Sequence, residues 1–97
     1  MKKLVRDNIP QIIKSKEENP KFYIADNKEY WSSLKDKLKE ETNEFIKSES
    51  KEEFADILEV IDAIGKFKKF NKKEILEIKN KKAKLRGKFN KRFILEQ

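Results

Sequence analysis

The chain has 97 residues, of which 36% are hydrophobic and 44% are charged, and its formal net charge is +7. We expect one small domain with a thin core, covering residues 1–97. Cysteine and histidine are both absent, which excludes disulfides, zinc sites built on these residues and catalytic triads that need them. The remaining chemistry is that of carboxylates, lysine, arginine and hydroxyl groups.

The sequence contains neither an apolar run of 18 residues nor a charged leader followed by an apolar segment. We therefore expect no membrane span and a cytoplasmic location. The positive charge favours an anionic partner, because a net field of this sign concentrates polyphosphates and nucleic acids around the protein. A solvated, lysine-rich surface without a specific partner accounts for the same charge.

Two short elements are predicted near the N-terminus. The sequence DNIP at residues 7–10 indicates the start of a short helix. The sequence KFYIA at residues 21–25 directly follows Pro20 and indicates a short extended segment.

Three longer helices are predicted by capping boxes, in which a polar N-cap residue is followed three positions later by glutamate. The pairs are Asp26 with Glu29, Ser50 with Glu53, and Asn71 with Glu74. Helices should begin near residues 27, 51 and 72 and end near Lys47, Phe67 and Arg86. Gly87 follows the last of them and can adopt the positive φ of a C′ residue.

These elements predict an all-α fold of three main helices, preceded by a short extended or helical segment and packed as a bundle. The helix at residues 51–67 is apolar over roughly half of its circumference. Two neighbouring helices cannot cover that surface, so we expect a homodimer or a higher homo-oligomer to complete the bundle.

A glutamate interrupts the apolar stripe of the first main helix. At 100° per residue, Leu34, Leu38 and Phe45 fall within an arc of about 40°, and Glu41 lies beside them. Glu44 lies at the edge of the same face. This placement is unusual, because burying an unpaired carboxylate costs several kcal/mol.

The next helix repeats the pattern. Glu53 and Asp56 project into the face formed by Val60, Ile64 and Phe67, one turn earlier. The converging acids must be protonated, paired with lysine or neutralised by a cation. A set of oxygen ligands on facing helices suits a hard divalent ion such as Mg²⁺ or Mn²⁺.

Ordinary interpretations of these acids remain open. Glu53 is already explained as the N3 residue of a capping box. Any single inward glutamate is more often a rim residue whose carboxylate reaches water. Four such acids on adjacent helices are harder to explain in these ways, and the pattern leaves a metal site and the ordinary interpretations both open.

Four motifs occur in order along the chain: KLVRDNIP at 3–10, EETNE at 40–44, EFAD at 53–56, and KAKLRGKF at 82–89 followed by Lys91 and Arg92. The two central motifs resemble the EExxE and ExxD motifs of the all-α nucleoside triphosphate pyrophosphohydrolases, the MazG-like and phosphoribosyl-ATP pyrophosphohydrolase-like proteins. The outer two resemble the opening and the close of one compact subgroup. The resemblance covers nearly the whole chain.

The resemblance implies magnesium-dependent cleavage of a nucleotide between its α- and β-phosphates, which yields a monophosphate and pyrophosphate. Carried over residue by residue, the metal ligands are Glu41, Glu44, Glu53 and Asp56, with Glu40 in a supporting catalytic role. Either Glu41 or Glu44 would orient the attacking water.

Basic residues near the C-terminus are candidates for binding the substrate phosphates: Lys79, Lys82, Arg86 and Arg92. Arg86 is favoured, because its planar guanidinium matches phosphate oxygens. Arg6 is a further candidate, and an Arg6–Asp7 ion pair that pins the N-terminus over the bundle is the alternative for this residue.

Two other functions compete with the enzyme hypothesis. A nucleic-acid-binding helical module would use the charge and the phenylalanines interleaved with lysine, namely Phe67, Phe70, Phe89 and Phe93. It leaves the inward acids unexplained. A catalytically silent relative is the third hypothesis, against which the intact acids argue. We expect a nucleotide partner, no membrane partner and no specific nucleic acid.

Overall fold

The computed structural model describes residues 2–97, which form four helices and no β-strand. The helices are α1 (Ile9–Ser15), α2 (Asn27–Ser48), α3 (Lys51–Phe67) and α4 (Lys72–Arg86). The predicted all-α class is confirmed. Within the described residues, each helix is too short or too polar to cross a membrane.

Side-chain caps define the start of each long helix. The N-cap side chains of Asp26, Ser50 and Asn71 accept hydrogen bonds from the backbone N–H groups of Glu29, Glu53 and Glu74, at 2.8, 3.2 and 3.1 Å. The three predicted helix starts are therefore confirmed. α4 ends at Arg86 as expected, and Gly87 follows it with φ of 82°.

A tight connection joins α2 to α3. α2 ends at Ser48, one residue beyond the predicted end, and Glu49 then adopts a left-handed conformation with φ of 54°. Ser50 follows directly as the N-cap of α3. Because only these two residues separate the helices, α2 and α3 run antiparallel as a helical hairpin.

The core lies between the two helices of this hairpin. Leu34 of α2 is 1% exposed and Val60 of α3 is 8% exposed, and these are the buried apolar residues of the described chain. Glu41, at 7% exposure, is buried beside them. A core of this size supports the expectation of a thin interior for a chain of this length.

Aromatic contacts close the hairpin at both ends. Where α2 begins and α3 ends, the Phe67 ring stacks on Trp31 at 5.8 Å and meets Tyr30 edge-on at 5.3 Å. Near the α2–α3 connection, Phe45 and Phe54 meet edge-on at 5.4 Å. Aromatic pairs of this geometry contribute about 0.5–1.5 kcal/mol beyond the area that they bury. These aromatic contacts fix the alignment of α2 and α3 along the hairpin. They therefore fix the positions of the acids on one helix relative to those on the other.

The N-terminal segment, residues 2–8, crosses the hairpin. Arg6 bonds to Asp56 of α3 at 2.6 Å, and Lys3 bonds to Glu40 of α2 at 3.0 Å. Arg6 does pin the N-terminus, but through Asp56, and the alternative pair with Asp7 is not formed. α1 follows this segment, and residues 18–26, which include the predicted extended segment, are irregular.

α4 lies apart from the hairpin. Every residue of α4 except Ala83 is exposed, and α2 with α3 is the one closely packed helix pair of the described chain. The radius of gyration is 17.7 Å, whereas a compact chain of this length has about 12–13 Å. The expected bundle of three main helices is therefore not completed within one chain. The apolar residues of α4 share their face with lysine and arginine, and this face stays exposed within the described chain.

Candidate metal centre

Three carboxylates from α2 and α3 converge in the half of the hairpin nearer the α2–α3 connection. Glu41, Glu53 and Asp56 each place one oxygen within 4.8 Å of the others. Glu53 and Asp56 are three residues apart, so they share one face of α3, and Glu41 reaches them from α2. Ligand oxygens around a Mg²⁺ ion lie up to about 4.2 Å apart, at metal–oxygen distances of about 2.1 Å. Small side-chain shifts would therefore let one ion contact all three residues.

Two oxygens of this cluster are buried without a hydrogen-bond partner, Oε2 of Glu41 and Oε2 of Glu53. Glu41 is nine-tenths buried, and its other oxygen, Oε1, lies 3.4 Å from Nζ of Lys37. A buried polar atom without a partner costs about 1–3 kcal/mol, and more when it is charged. Residues 2–97 supply no hydrogen-bond donor to these oxygens, which fits the ligand set of a cation.

The cluster shifts the acidity of its own members. The pKa of Glu53 rises from 4.5 to about 7, because burial removes water from its carboxyl and because the charges of Glu44 and Glu41 lie nearby. Around neutral pH, Glu53 therefore exchanges a proton in the metal-free protein. Glu40 behaves in the opposite way: hydrogen bonds from Lys3 and Lys37 lower its pKa. Glu40 thus stays ionised.

Arg6 joins the cluster from the N-terminal segment. Its Nη2 donates to Oδ1 of Asp56 at 2.6 Å, and both side chains are partly exposed. Ion pairs between partly exposed groups contribute little stability, about 0–1 kcal/mol. The contact nevertheless places a guanidinium at the acid cluster, where it can turn from the carboxylate to a phosphate.

An open cleft of about 960 Å³ separates the N-terminal segment from the hairpin. Glu41 and Asp56 lie in its wall, and Tyr30 and Leu34 form part of its apolar lining. Basic side chains line it as well, namely Lys3, Arg6, Lys37 and Lys66. The volume lies in the range of small-molecule sites. Acidic side chains that can bind a cation and basic side chains that can bind phosphates thus line the same cleft.

Two predicted acids lie beside the three-carboxylate group. Glu44 is exposed and lies outside it, although its charge reaches Glu53. Glu40 is also outside the group and is engaged by Lys3 at 3.0 Å and by Lys37 at 3.3 Å. The structure therefore brings together three of the four predicted ligands.

The predicted phosphate contacts divide into two groups. Arg6 lines the cleft, whereas four others do not: Lys79, Lys82, Arg86 and Arg92. The first three of these lie on α4, and Arg92 lies in the tail beyond it. Within one chain, the α4 cations and the acid cluster are therefore separate features.

Lys37 is a site residue that the sequence reasoning missed. It bridges Glu40 at 3.3 Å and Glu41 at 3.4 Å, and its side chain is 17% exposed. Its spacing of three and four residues from two glutamates was a readable signal, because such pairs are neighbours on a helix surface. Lys37 compensates part of the burial of Glu41, and pairing with lysine was one of the three possibilities that the sequence left open for the inward acids.

Comparison with protein-family models, curated proteins and solved structures gives no match to this chain. The features that indicate a function are therefore those of the site: its donor atoms, its burial and the cleft beside it.

Proposed function

We propose that this protein is a magnesium-dependent nucleotide pyrophosphohydrolase, which cleaves a nucleoside triphosphate between its α- and β-phosphates. One observation carries the proposal: the buried, unpartnered Oε2 of Glu41, in a group whose Glu53 and Asp56 oxygens lie within 4.8 Å. The resemblance of residues 40–44 and 53–56 to the EExxE and ExxD motifs of the MazG-like proteins supports the same function.

The residues present fit a hard cation. Glu41, Glu53 and Asp56 would hold Mg²⁺ or Mn²⁺, because both ions prefer oxygen ligands and the chain has no histidine or cysteine. Such an ion stabilises charge on phosphoryl oxygens and lowers the pKa of bound water. We assign Glu44 to orienting the attacking water, since it lies next to Glu53 and remains solvent-exposed. Glu40 supports the site through Lys37.

Basic residues of the cleft bind the phosphates in this proposal. Arg6 offers a planar fork of N–H donors, and Lys3 and Lys37 provide point charges that line the same cleft. Without a cation, the acids of the cleft repel a triphosphate. Binding of nucleotide and binding of metal should therefore be mutually dependent.

We also propose that the protein is a homodimer. Phe54, Leu58 and Ile61 of α3 are 53%, 51% and 48% exposed, so the outer face of the hairpin remains half uncovered. Exposed apolar residues grouped on one face are typical of subunit interfaces.

The deciding experiment is chromatography of products formed from a panel of nucleoside triphosphates. We expect a monophosphate and pyrophosphate with Mg²⁺ or Mn²⁺, and neither product in EDTA. Glu41→Gln should abolish turnover, and Asp36→Asn, a change at an exposed acid of the same helix, should preserve it. Orthophosphate with a diphosphate, or activity undiminished by EDTA, would contradict the proposal. Metal binding without turnover of any nucleotide would favour the catalytically silent relative.

Nucleic-acid binding is the second candidate function, and the charge distribution favours it. Residues 72–97 carry ten lysines and arginines against three acids, whereas residues 1–71 carry fifteen of each. Phe89 and Phe93 of this region are 97% and 84% exposed. Basic surfaces with exposed aromatic rings are typical of proteins that bind single strands. This candidate leaves the acid cluster without a role, and it ranks second for that reason.

A further inference from the structure

α4 packs closely on no other helix within residues 2–97. It spans Lys72–Arg86, and no residue of it is buried. Ile75, Ile78 and Leu85 are 43%, 46% and 74% exposed. Isolated helices of about 15 residues are marginal in water, because nucleation is costly and few hydrogen bonds follow it. A stable α4 therefore needs a surface that covers these aliphatic side chains.

α3 carries a partly uncovered apolar stripe that could cover the aliphatic side chains of α4. Phe54, Leu58 and Ile61 have the i, i+4, i+7 spacing of one helix face, and each is about half exposed. We call these three residues the α3 stripe. Val60, which is buried against α2, lies about 100° to 160° around α3 from these residues. Phe54 of the stripe also meets Phe45 of α2 edge-on, so its uncovered half, together with Leu58 and Ile61, is the surface left to receive another helix.

The two helices carry opposite charge. α3 has five acids against two lysines, and α4 has seven lysines and arginines against two glutamates. Asp62 lies about 40° around α3 from Leu58, and Lys82 lies about 40° around α4 from Ile78. α3 thus carries acids beside its apolar stripe, whereas on α4 the positive charges share the apolar face, since Lys82 falls between Ile75 and Ile78. Packing α4 on α3 would bury the aliphatic side chains and let the lysine and arginine side chains among them pair with the acids of α3.

The α3 stripe also borders the cleft. Asp62 and Glu59 lie on the side of α3 next to Leu58, and both line the cleft that contains Glu41 and Asp56. A helix docked on the stripe would therefore bring its basic side chains to that cleft. α4 carries such side chains in Lys82 and Arg86, but its own chain holds them away from the acids.

We propose that α4 of one copy of the chain packs on the α3 stripe of a second copy, and that it thereby places Lys82 and Arg86 at the second copy's cleft. The docking follows from the surfaces alone; the role of Lys82 and Arg86 in binding phosphate rests on the proposed function. Nucleic acid is a poorer occupant, because a phosphate backbone would leave Ile75, Ile78 and Leu85 exposed to water.

The first test measures molar mass by light scattering. The parent should be a dimer at micromolar concentration. Leu58→Lys puts a cation where α4 must dock, and Ile78→Glu puts an acid on α4, so each should raise the dimer dissociation constant at least tenfold. An equimolar mixture of the two variants should regain dimer, because the introduced lysine and the introduced glutamate then meet across one interface while the other interface is native. Ile46→Lys, at an exposed apolar position of α2, should remain a dimer.

A parent that is monomeric, or a dimer unaffected by both Leu58→Lys and Ile78→Glu, would overturn the proposal. A monomeric parent that binds single-stranded RNA with a steep salt dependence would assign α4 to nucleic acid instead. If a variant loses its helical circular dichroism signal, a cysteine crosslinking experiment is used in place of that variant. The parent has no cysteine, so a Leu58→Cys chain and a tagged Ile78→Cys chain can be mixed and treated with a short bis-maleimide. A product of mixed mass is expected, and its absence contradicts the packing.

The second test asks whether α4 serves the partner's cleft. Glu41→Gln lacks a metal ligand but keeps Arg86, whereas Arg86→Ala keeps the acids. Each alone should be inactive or nearly so, and an equimolar mixture should recover about a quarter of parental turnover, since half of the dimers are mixed and each has one complete site. No recovery, with dimers intact by light scattering, would overturn the placement of Arg86. If the parent itself turns over no nucleotide, the proposed function fails, and the mass and crosslinking results still decide the docking.

Discussion

Oε1 of Glu41 lies 3.4 Å from the Lys37 ammonium one helical turn earlier, while Oε2 of the same carboxylate is buried without a partner. Lys37 also contacts Glu40 at 3.3 Å. The lysine therefore holds one oxygen of Glu41 and leaves the other open. The same contact makes Glu41 replaceable without isolating a charge, because Lys37 keeps Glu40 as a partner.

Replacing Glu41 with leucine should separate function from stability. Glu41→Leu removes a buried carboxylate near Glu53 and Asp56 and extends the apolar face that contains Leu34. We expect the metal-free free energy of unfolding to stay unchanged or to rise by about 1–3 kcal/mol, as when packed apolar groups replace buried ionic ones. Thermal melts measure this, and hydrolysis should be lost.

Mg²⁺ should raise the melting temperature of the parent, because a ligand that binds only the folded state stabilises it. The rise should be smaller for Glu41→Leu, and Asp36→Leu should respond like the parent. A loss of about 3–5 kcal/mol in metal-free Glu41→Leu would instead identify Glu41 as an essential structural partner of lysine.

The metal-free protein should lose stability between about pH 4.5 and about pH 7. Glu53 has a pKa raised from 4.5 to about 7 in the folded protein, so the folded state binds more protons than the unfolded state across this window. Stability therefore falls as the pH rises through it and levels off above it. Urea unfolding at a series of pH values measures the slope.

Glu53→Gln should flatten that slope, since the glutamine side chain does not titrate. Its backbone N–H still donates to Ser50, so the helix cap persists. Glu52→Gln is the matched control on the neighbouring exposed position and should retain the parental slope. An unchanged slope in Glu53→Gln would assign the titration to another group.

Removing Arg6 should affect metal and nucleotide in opposite directions. Arg6→Ala frees Asp56 and deletes a positive charge from the cluster, so the dissociation constant for Mg²⁺ should fall a few-fold in calorimetry. The KM for the nucleotide should rise about tenfold or more, because a charge-assisted contact to phosphate is lost. Stability should change by less than about 1 kcal/mol, since the Arg6–Asp56 pair is partly exposed.

Arg6→Lys should restore the positive charge but should bring the KM only part of the way back to the parental value, because an ammonium lacks the planar fork of arginine. Lys16→Ala, at an exposed position near the end of α1, is the control and should leave both constants unchanged. Parallel weakening of metal and nucleotide binding in Arg6→Ala would show that Arg6 acts only by holding the N-terminal segment in place.

Nucleic acid should bind weakly and without sequence preference. Binding that depends on neutralised phosphates falls steeply with added salt, because counterions are released. Fluorescence anisotropy with labelled RNA and DNA at physiological salt measures this. Nanomolar affinity that Glu41→Gln leaves unchanged would favour the nucleic-acid function over the enzyme.

The limits of the long helices were determined by the sequence itself. Each helix start depends on a hydrogen bond between a side chain and a backbone N–H three residues later, as in Asp26 with Glu29. Such a contact is local and does not depend on the packing of distant residues. Helical geometry likewise sets which residues share a face. For this reason Glu41 could be placed in the stripe of α2, and Glu53 and Asp56 on one face of α3, before any packing was known.

Tertiary structure decided what surrounds those acids. The contact of Arg6 with Asp56 spans fifty positions of sequence, and it depends on how the N-terminal segment crosses the hairpin. Glu44 lies at the edge of the inward face of α2. Whether it joins the carboxylate group therefore depends on how α2 is rotated about its axis relative to α3. The separation of α4 from the hairpin is also tertiary. Capping and periodicity act within a few residues, whereas these relationships depend on the burial of surfaces far apart in the chain, which local patterns do not encode.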